Sequence, residues 1–275
     1  MSNLLKRSLT GVAFVSILLA GIIIHPFVFV SVFGVILFLT QSEFYKITKL
    51  SDCSPQKIVG LILGLLFFIN CFLIANNIIP PSLIIIFIPF LLFVFIAELF
   101  SKDTSSLKNS SITIAGLIYV ALPFSLLNFI VFKEISGASH FYPWILVGIL
   151  FILWTYDSMA YVTGSLLGKH KIAPKVSPLK SWEGLVGGTI FAVIVGILCA
   201  VLFQEINVFN WIIISLLAVI FGTIGDFFQS KLKREIGIKD SGNILPGHGG
   251  LLDRFDSLLF AIPIIFVWLN LIDKF

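Results

Sequence analysis

Between Asp226 and Asp256 the sequence concentrates polar residue types that are scarce elsewhere in it: Asp226, Ser230, Lys233, Arg234, Lys239, Asp240, His248, Gly249, Gly250, Asp253, Arg254 and Asp256. On a helix, positions 226, 230 and 233 fall at i, i+4 and i+7 and share one face. A carboxylate beside a lysine on that face can hold a divalent metal and a phosphate side by side. Further on, Pro246-Gly247-His248-Gly249-Gly250 leads into an apolar run. Glycines before a helix let backbone N–H groups approach an anion, and the helix N-terminus favours negative charge. Asp253 and Asp256, at i and i+3, point to one side of that helix. Hard oxygen ligands of this kind suit Mg²⁺, which takes one or two carboxylates together with substrate phosphates.

A second group lies upstream. Asp157 stands inside an apolar run, where a carboxylate is costly and faces a polar cavity or a partner. Lys180 and Glu183 follow in a polar stretch. Each of these residues also has an ordinary role open to it. Lys231, Lys233 and Arg234 could anchor a helix end at lipid headgroups, and Asp253 and Asp256 could be first-turn acids favoured by the helix dipole. His248 could be a packed histidine, Asp157 a partner of a neighbouring helix, Lys180 and Glu183 an i, i+3 pair, and Trp182 an interfacial anchor. Their ordered concentration between two apolar runs favours a site.

The elements that must position these residues are membrane helices. Of 275 residues, 58% are hydrophobic and only 12% charged, against about a quarter charged in soluble domains, and the mean hydropathy is +1.09. Spanning a hydrocarbon core takes roughly 20 apolar helical residues. Nine spans are expected, at 9–24, 27–40, 58–76, 82–100, 112–132, 143–163, 184–203, 211–227 and 252–271, the first two being short and separated by His25-Pro26. With a cytoplasmic N-terminus and an external C-terminus, all of the 18 basic residues except Lys133 and Lys274 fall on the cytoplasmic side, as the positive-inside rule requires. The long polar segments 164–183 and 226–251 then face the cytoplasm. The fold class is all-α, a single polytopic membrane domain, with N-terminal spans over 9–142 and catalytic spans and loops over 143–275. The run after Lys6-Arg7 has no evident cleavage site and reads as retained. Cys53, Cys71 and Cys199 lie far apart, without disulfide or zinc spacing. The net charge of +4 is mild and does not suggest nucleic acid.

The run Ser230-Lys-Leu-Lys233-Arg234, then Lys239-Asp240, then Leu245-Pro246-Gly-His248-Gly249-Gly250-Leu-Leu-Asp253-Arg254-Phe-Asp256 resembles the signature of phosphatidate cytidylyltransferases (CDP-diacylglycerol synthases). Ser177-Pro-Leu-Lys180-Ser181-Trp182-Glu183-Gly184 is similar to a second segment of that family, with Ser181 for threonine and Leu179 where lysine is common. Asp157-Ser-Met-Ala160-Tyr161-x-x-Gly164 is similar to a third, with Ser165 where arginine is frequent. The matches cover roughly 157–256.

The resemblance implies transfer of CMP from CTP to phosphatidic acid, giving CDP-diacylglycerol and pyrophosphate. Under it Asp226 and Asp253 bind Mg²⁺, with Asp256 a third candidate ligand and a monovalent cation such as K⁺ left open. Lys233, Arg234 and Arg254 hold phosphates, with Ser230 and Lys239 beside them. Gly249 and Gly250 offer backbone donors to the leaving pyrophosphate, His248 a hydrogen bond, and Lys180 and Asp157 complete the cavity. It also implies a homodimer. The compact chain without a long N-terminal extension points to a bacterial inner membrane. A CTP-dependent polyprenol kinase would use similar ligands but pass the γ-phosphoryl group to an alcohol. A transporter is disfavoured by the lack of an inverted repeat and by motifs gathered on one face.

Overall fold

A computed structural model describes residues 3–49, 53–100, 105–135, 138–174, 176–244 and 249–272, with side chains from residue 9 onward except those of 134 and 135. Leu245, Pro246, Gly247 and His248 therefore lie outside the described residues, as does Lys175. Helix α1 (Asn3–Ile23) ends where expected. His25 adopts an extended backbone and its Nδ1 accepts from Phe27 N at 3.3 Å, while Pro26 opens α2 (Pro26–Thr48). Proline suits a first helical position because its missing N–H would be unsatisfied there anyway. Next come α3 (Lys57–Ala75), a 3₁₀ turn (Pro81–Ile86) running into α4 (Phe87–Glu98), and α5 (Ser106–Gly116). A π-helical turn (Leu117–Ala121) joins α5 to α6 (Leu122–Val131), making one continuous rod. After it stand β1 (Phe132–Ile135), β2 (Ala138–Phe141), α7 (Trp144–Leu167), β3 (Lys171–Ala173), β4 (Ser177–Ser181), α8 (Trp182–Phe203), α9 (Val208–Glu235) and α10 (Leu252–Leu271).

The all-α expectation holds, and the helices follow the nine expected segments. Seven described helices are long and apolar enough to cross a membrane: α2, α3, the Pro81–Glu98 unit, the Ser106–Val131 rod, α7, α8 and α9. Of the other two, α1 carries Lys6 and Arg7 in its first turns, and the first turns of α10 carry Asp253, Arg254 and Asp256. Two segments read as plain connections instead form antiparallel hairpins, β1 with β2 (Phe132 opposite Phe141) and β3 with β4 (Lys171 opposite Ser181). Chain leaving a helix at a membrane face must still pair its backbone groups, and a short hairpin does so.

The C-terminal half is a row in which α7 packs along α8, α8 along α9, and α9 along α10. Small residues allow this closeness, since association between helices in lipid depends on contact. A Cβ at Gly188 would lie 2.9 Å from the Tyr156 carbonyl oxygen, and one at Gly225 would lie 2.4 Å from that of Asp256. The N-terminal half closes on α10, which packs against both α6 and α2. The row and its cover bring the C-terminal ends of α2, α7 and α9 together with the N-terminal ends of α8 and α10 at one end of the bundle.

Candidate active site

At that end the two polar segments meet. Lys180, at the end of the β3–β4 hairpin, forms an ion pair with Asp226 of α9, and its ammonium lies 4.9 Å from the centre of the Phe227 ring. Burial opposes the positive charge of Lys180, but the adjoining Asp226 carboxylate outweighs it and holds the lysine above its ordinary pKa. The expected helix face is present. Ser230 Oγ donates to Asp226 Oδ1 at 3.2 Å, one turn along α9. Lys180 and Glu183 do not pair with each other. Glu183 accepts from the His170 backbone N–H at 3.2 Å and pairs with its Nδ1 at 2.6 Å, which fixes the hairpin to the start of α8. Ser181 caps α8 by accepting from Gly184 N at 3.2 Å.

Under the hairpin lies a cavity of about 530 Å³, lined among others by Tyr156, Asp157, Lys171, Ser177, Lys180 and Ser181. Asp157 opens into it from α7. Its charge interacts with those of Lys180, Asp226 and Arg254. Tyr156, the neighbouring residue, ties α7 to α9 through a 2.6 Å hydrogen bond between its hydroxyl and that of Thr223.

Asp253, in the first turn of α10, meets α9 about two turns further along. Its Oδ1 accepts from Lys233 Nζ at 2.7 Å and from Gln229 Nε2 at 3.1 Å. Its Oδ2 accepts from Ser241 N at 2.8 Å and from Gly250 N at 3.1 Å. The two side chains of this ion pair are only 13% and 8% exposed, so both depend on each other for charge compensation. The Gly250 N–H, expected to face a phosphate, is thus directed inward onto Asp253. Gly249 sits at φ +83°, a left-handed backbone that glycine adopts without strain, and this turn brings Gly250 under the carboxylate. Asp256, three residues on, interacts with the charges of Asp226, Asp157 and Lys233. The linked groups Lys180–Asp226–Ser230 and Lys233–Asp253 along α9 therefore make up a charged junction, with Asp157 in the adjoining cavity wall and Asp256 one turn along α10.

Other expected residues sit at its edge. Arg234 is exposed and donates to the Ile238 carbonyl at 3.4 Å. Lys239 is exposed as well. Arg254 is exposed on the α7 side, where it and Asp157 line a small cavity with Trp154 and Phe14.

Three contributors were not anticipated. Gln229, fully buried, is the link between α9 and Asp253. Tyr119, on the π-helical turn, donates from its hydroxyl to Gln229 Oε1 at 3.0 Å. Glu43 of α2 is 4% exposed, and its Oε2 accepts from Leu252 N at 2.8 Å. A signal for Glu43 existed, a carboxylate within the Gln41-Ser-Glu43 stretch that closes a strongly apolar run. Nothing in the sequence tied it to a position 209 residues away.

A model of the cytidylyltransferase family matches residues 5–272. A Staphylococcus saprophyticus protein named phosphatidate cytidylyltransferase is 40% identical over 167 residues, covering 60% of this chain and 61% of that protein. A Staphylococcus aureus protein (strain COL) of the same name is 39% identical over the same coverage. The chain thus spans about three-fifths of the length of these staphylococcal relatives. A Bacillus subtilis protein, also named phosphatidate cytidylyltransferase, is 31% identical over 275 residues, covering 98% of this chain and 99% of its own. The charged junction, the helices that build it and a match running almost end to end lead to one assignment: this chain belongs to the cytidylyltransferase family.

Proposed function

We propose that the protein transfers CMP from CTP to phosphatidic acid at the cytoplasmic face of a bacterial inner membrane, releasing pyrophosphate. The observation that carries this reading is the Lys180–Asp226 ion pair, because it joins two sequence segments that are 46 positions apart at the mouth of a cavity. The printed names of the relatives support the same substrates.

The reaction asks little of an enzyme by way of proton transfer. The second pKa of a phosphate monoester is near 6, so phosphatidic acid arrives with an anionic oxygen. That oxygen forms a new bond to the α-phosphorus of CTP as the bond from the α-phosphorus to the bridging oxygen breaks. The bonding pair leaves with pyrophosphate. What remains is to bring two polyanions together in line, which is a matter of positioning and charge neutralisation.

The residues of the junction suit that task. Lys180 and Lys171 line the cavity and meet phosphate oxygens there. Lys233 neutralises charge beside Asp253, and Arg234, Lys239 and Arg254 extend the basic rim. One or two of Asp226, Asp253 and Asp256 would hold Mg²⁺. Among the described residues no three His, Cys, Asp or Glu side chains are grouped to hold an ion alone. This fits an ion that needs only one or two carboxylates and takes its other ligands from substrate phosphates and water. Such an ion would supply Lewis-acid stabilisation of charge on the transferring group. Since all the hydrogen-bonding sites of Asp253 are engaged, its part in holding the ion requires the exchange of one donor. The reading carries with it a homodimeric assembly, on which the chemistry at this junction does not depend.

The test is an assay of the purified protein in mixed micelles with phosphatidic acid, Mg²⁺ and CTP labelled at either the α- or the γ-phosphate. Label from the α position should enter the lipid. Entry of γ-label instead would identify a lipid kinase. Asp226→Asn should lower CMP transfer by about a hundredfold or more, in line with the loss of a group that organises transition-state charge, while the protein remains monodisperse. Full activity in that variant would remove Asp226 from the reaction.

A further inference from the structure

We infer that Glu43 and Tyr119, contributed by helices outside the motif-bearing half, are positioning residues that clamp the first turn of α10 and so fix the orientation of the Asp253 carboxylate. The inference rests on the reading of Asp253 as part of the reaction centre.

Glu43 acts through the backbone. Its Oε2 accepts from Leu252 N at 2.8 Å, one of the first N–H groups of α10, which have no partner within the helix. An anion at that position also suits the helix dipole. The fit is close on the opposite strand of the loop. A Cβ on Gly242 would lie 2.3 Å from Glu43 Oε1, and one on Gly250 would lie 2.5 Å from Glu43 Oε2. Gly242 and Gly250 therefore leave room for a carboxylate reaching in from α2. Gly250 in turn donates to Asp253 Oδ2 at 3.1 Å. Glu43 and Asp253 thus grip two N–H groups of the same short stretch, those of Leu252 and Gly250.

Tyr119 acts through a side chain. A carboxylate only accepts, so Gln229 must present its amide nitrogen to Asp253 Oδ1, at 3.1 Å. Its amide oxygen is left facing the Tyr119 hydroxyl, which donates at 3.0 Å. The tyrosine thereby sets which way round the amide lies. Its ring is held by Phe44 of α2, Phe228 of α9 and Phe260 of α10, with centroids 5.4 to 5.9 Å away. Tyr119 stands at the middle of the π-helical turn, the kind of single widened turn that recurs at functional sites. Two contacts from the N-terminal half therefore act on one carboxylate indirectly: Tyr119 through Gln229, which meets Oδ1, and Glu43 through the backbone turn at Leu252, two residues after the Gly250 N–H that meets Oδ2.

The experiment compares Glu43→Ala, Glu43→Gln, Tyr119→Phe and the double variant Glu43→Ala/Tyr119→Phe, all as full-length protein in detergent. Turnover and KM for CTP are measured alongside hydrogen exchange of the segment 249–256. Supporting partners behind a reacting group typically contribute tenfold to a hundredfold. Glu43→Ala should lower kcat by about tenfold or more, leave KM for CTP within about twofold, and speed exchange in 249–256. Glu43→Gln keeps an oxygen acceptor and should restore most of both readouts. Tyr119→Phe should lower kcat by a smaller factor, and the double variant should fall short of the product of the two losses, since both act on one group. Wild-type exchange in folded Glu43→Ala, or a Gln variant as impaired as Ala, would overturn the inference. So would a fall in kcat without faster exchange. The exchange measurement needs no turnover, so failure of CMP transfer by the wild-type protein would remove the proposed reaction without touching the clamp.

Discussion

At the scale of single residues the site is an economy of few charges, and the most informative of them is Lys180. Its pairing with Asp226 raises its pKa. A lysine so raised is cationic at neutral pH and loses its charge only as pH climbs past the ordinary lysine value of about 10.4. Lys180→Met should therefore lower CMP transfer by about a hundredfold, comparable to loss of a donor aimed at developing charge, whereas Lys180→Arg should retain a measurable fraction. The pH–rate profiles of wild type and Lys180→Arg should coincide in shape between about pH 7 and 9. A limb in that interval that disappears only in the arginine variant would mean Lys180 titrates there. Asp253 presents the opposite case. With four donors on one carboxylate, removal of Lys233 leaves a buried charge with three hydrogen bonds but without its counterion.

At the scale of elements, close approach of helices decides geometry. The α9–α10 contact is close at Gly225, next to Asp226 and against the backbone of Asp256. Gly225→Val would force these helices apart and should abolish activity and lower the yield of monodisperse protein. Gly237→Ala, at a φ of +72° with no atoms within 4 Å of the added carbon, should cost only about 1 kcal/mol of backbone strain and leave turnover unchanged. The same elements show what was legible in advance. Apolar runs of about twenty residues and the His25-Pro26 break are local signals, and they located the helices, although α2 and α9 each run eight residues past the expected end and the rod begins six residues early at Ser106. The i, i+4, i+7 spacing of Asp226, Ser230 and Lys233 placed them on one face, where the Ser230–Asp226 hydrogen bond now lies. Glu43, Tyr119 and Gln229 were not legible, because what matters about them is contact between helices distant in sequence. Periodicity says which face of a helix is apolar, not which neighbour that face meets. The inward turn of the Gly250 N–H was hidden for a related reason. A glycine before a helix is free to offer its donor to a ligand or to a side chain, and only the position of Asp253 decides between them.

At the scale of the whole molecule, polar chemistry gathers at one end and a different set of contacts closes the other. There Lys133 of the β1–β2 hairpin pairs with Glu205 of the α8–α9 connection, and the Tyr142 hydroxyl donates to the Phe203 carbonyl at 3.1 Å. Single cysteines at Ser139 and at Lys239, in a background lacking the three buried native cysteines, should label from opposite sides with a membrane-impermeant maleimide. Position 239 should react only when the cytoplasmic face is open. Labelling of both from one side would reverse or break the expected orientation.

Helix α9 has 28 residues, which at 1.5 Å each gives a rod about 42 Å long, while the hydrocarbon slab it crosses is about 30 Å thick. The expected topology puts the surplus at the end bearing Asp226 to Lys233, and so puts the charged junction at the depth where a phospholipid carries its phosphate. Under the proposed function the greasy substrate need not be lifted out of its leaflet to react; it would slide sideways until its head is in place. Bilayer thickness thereby becomes a tuning variable, because a thicker or thinner sheet would offer that head above or below the waiting charges.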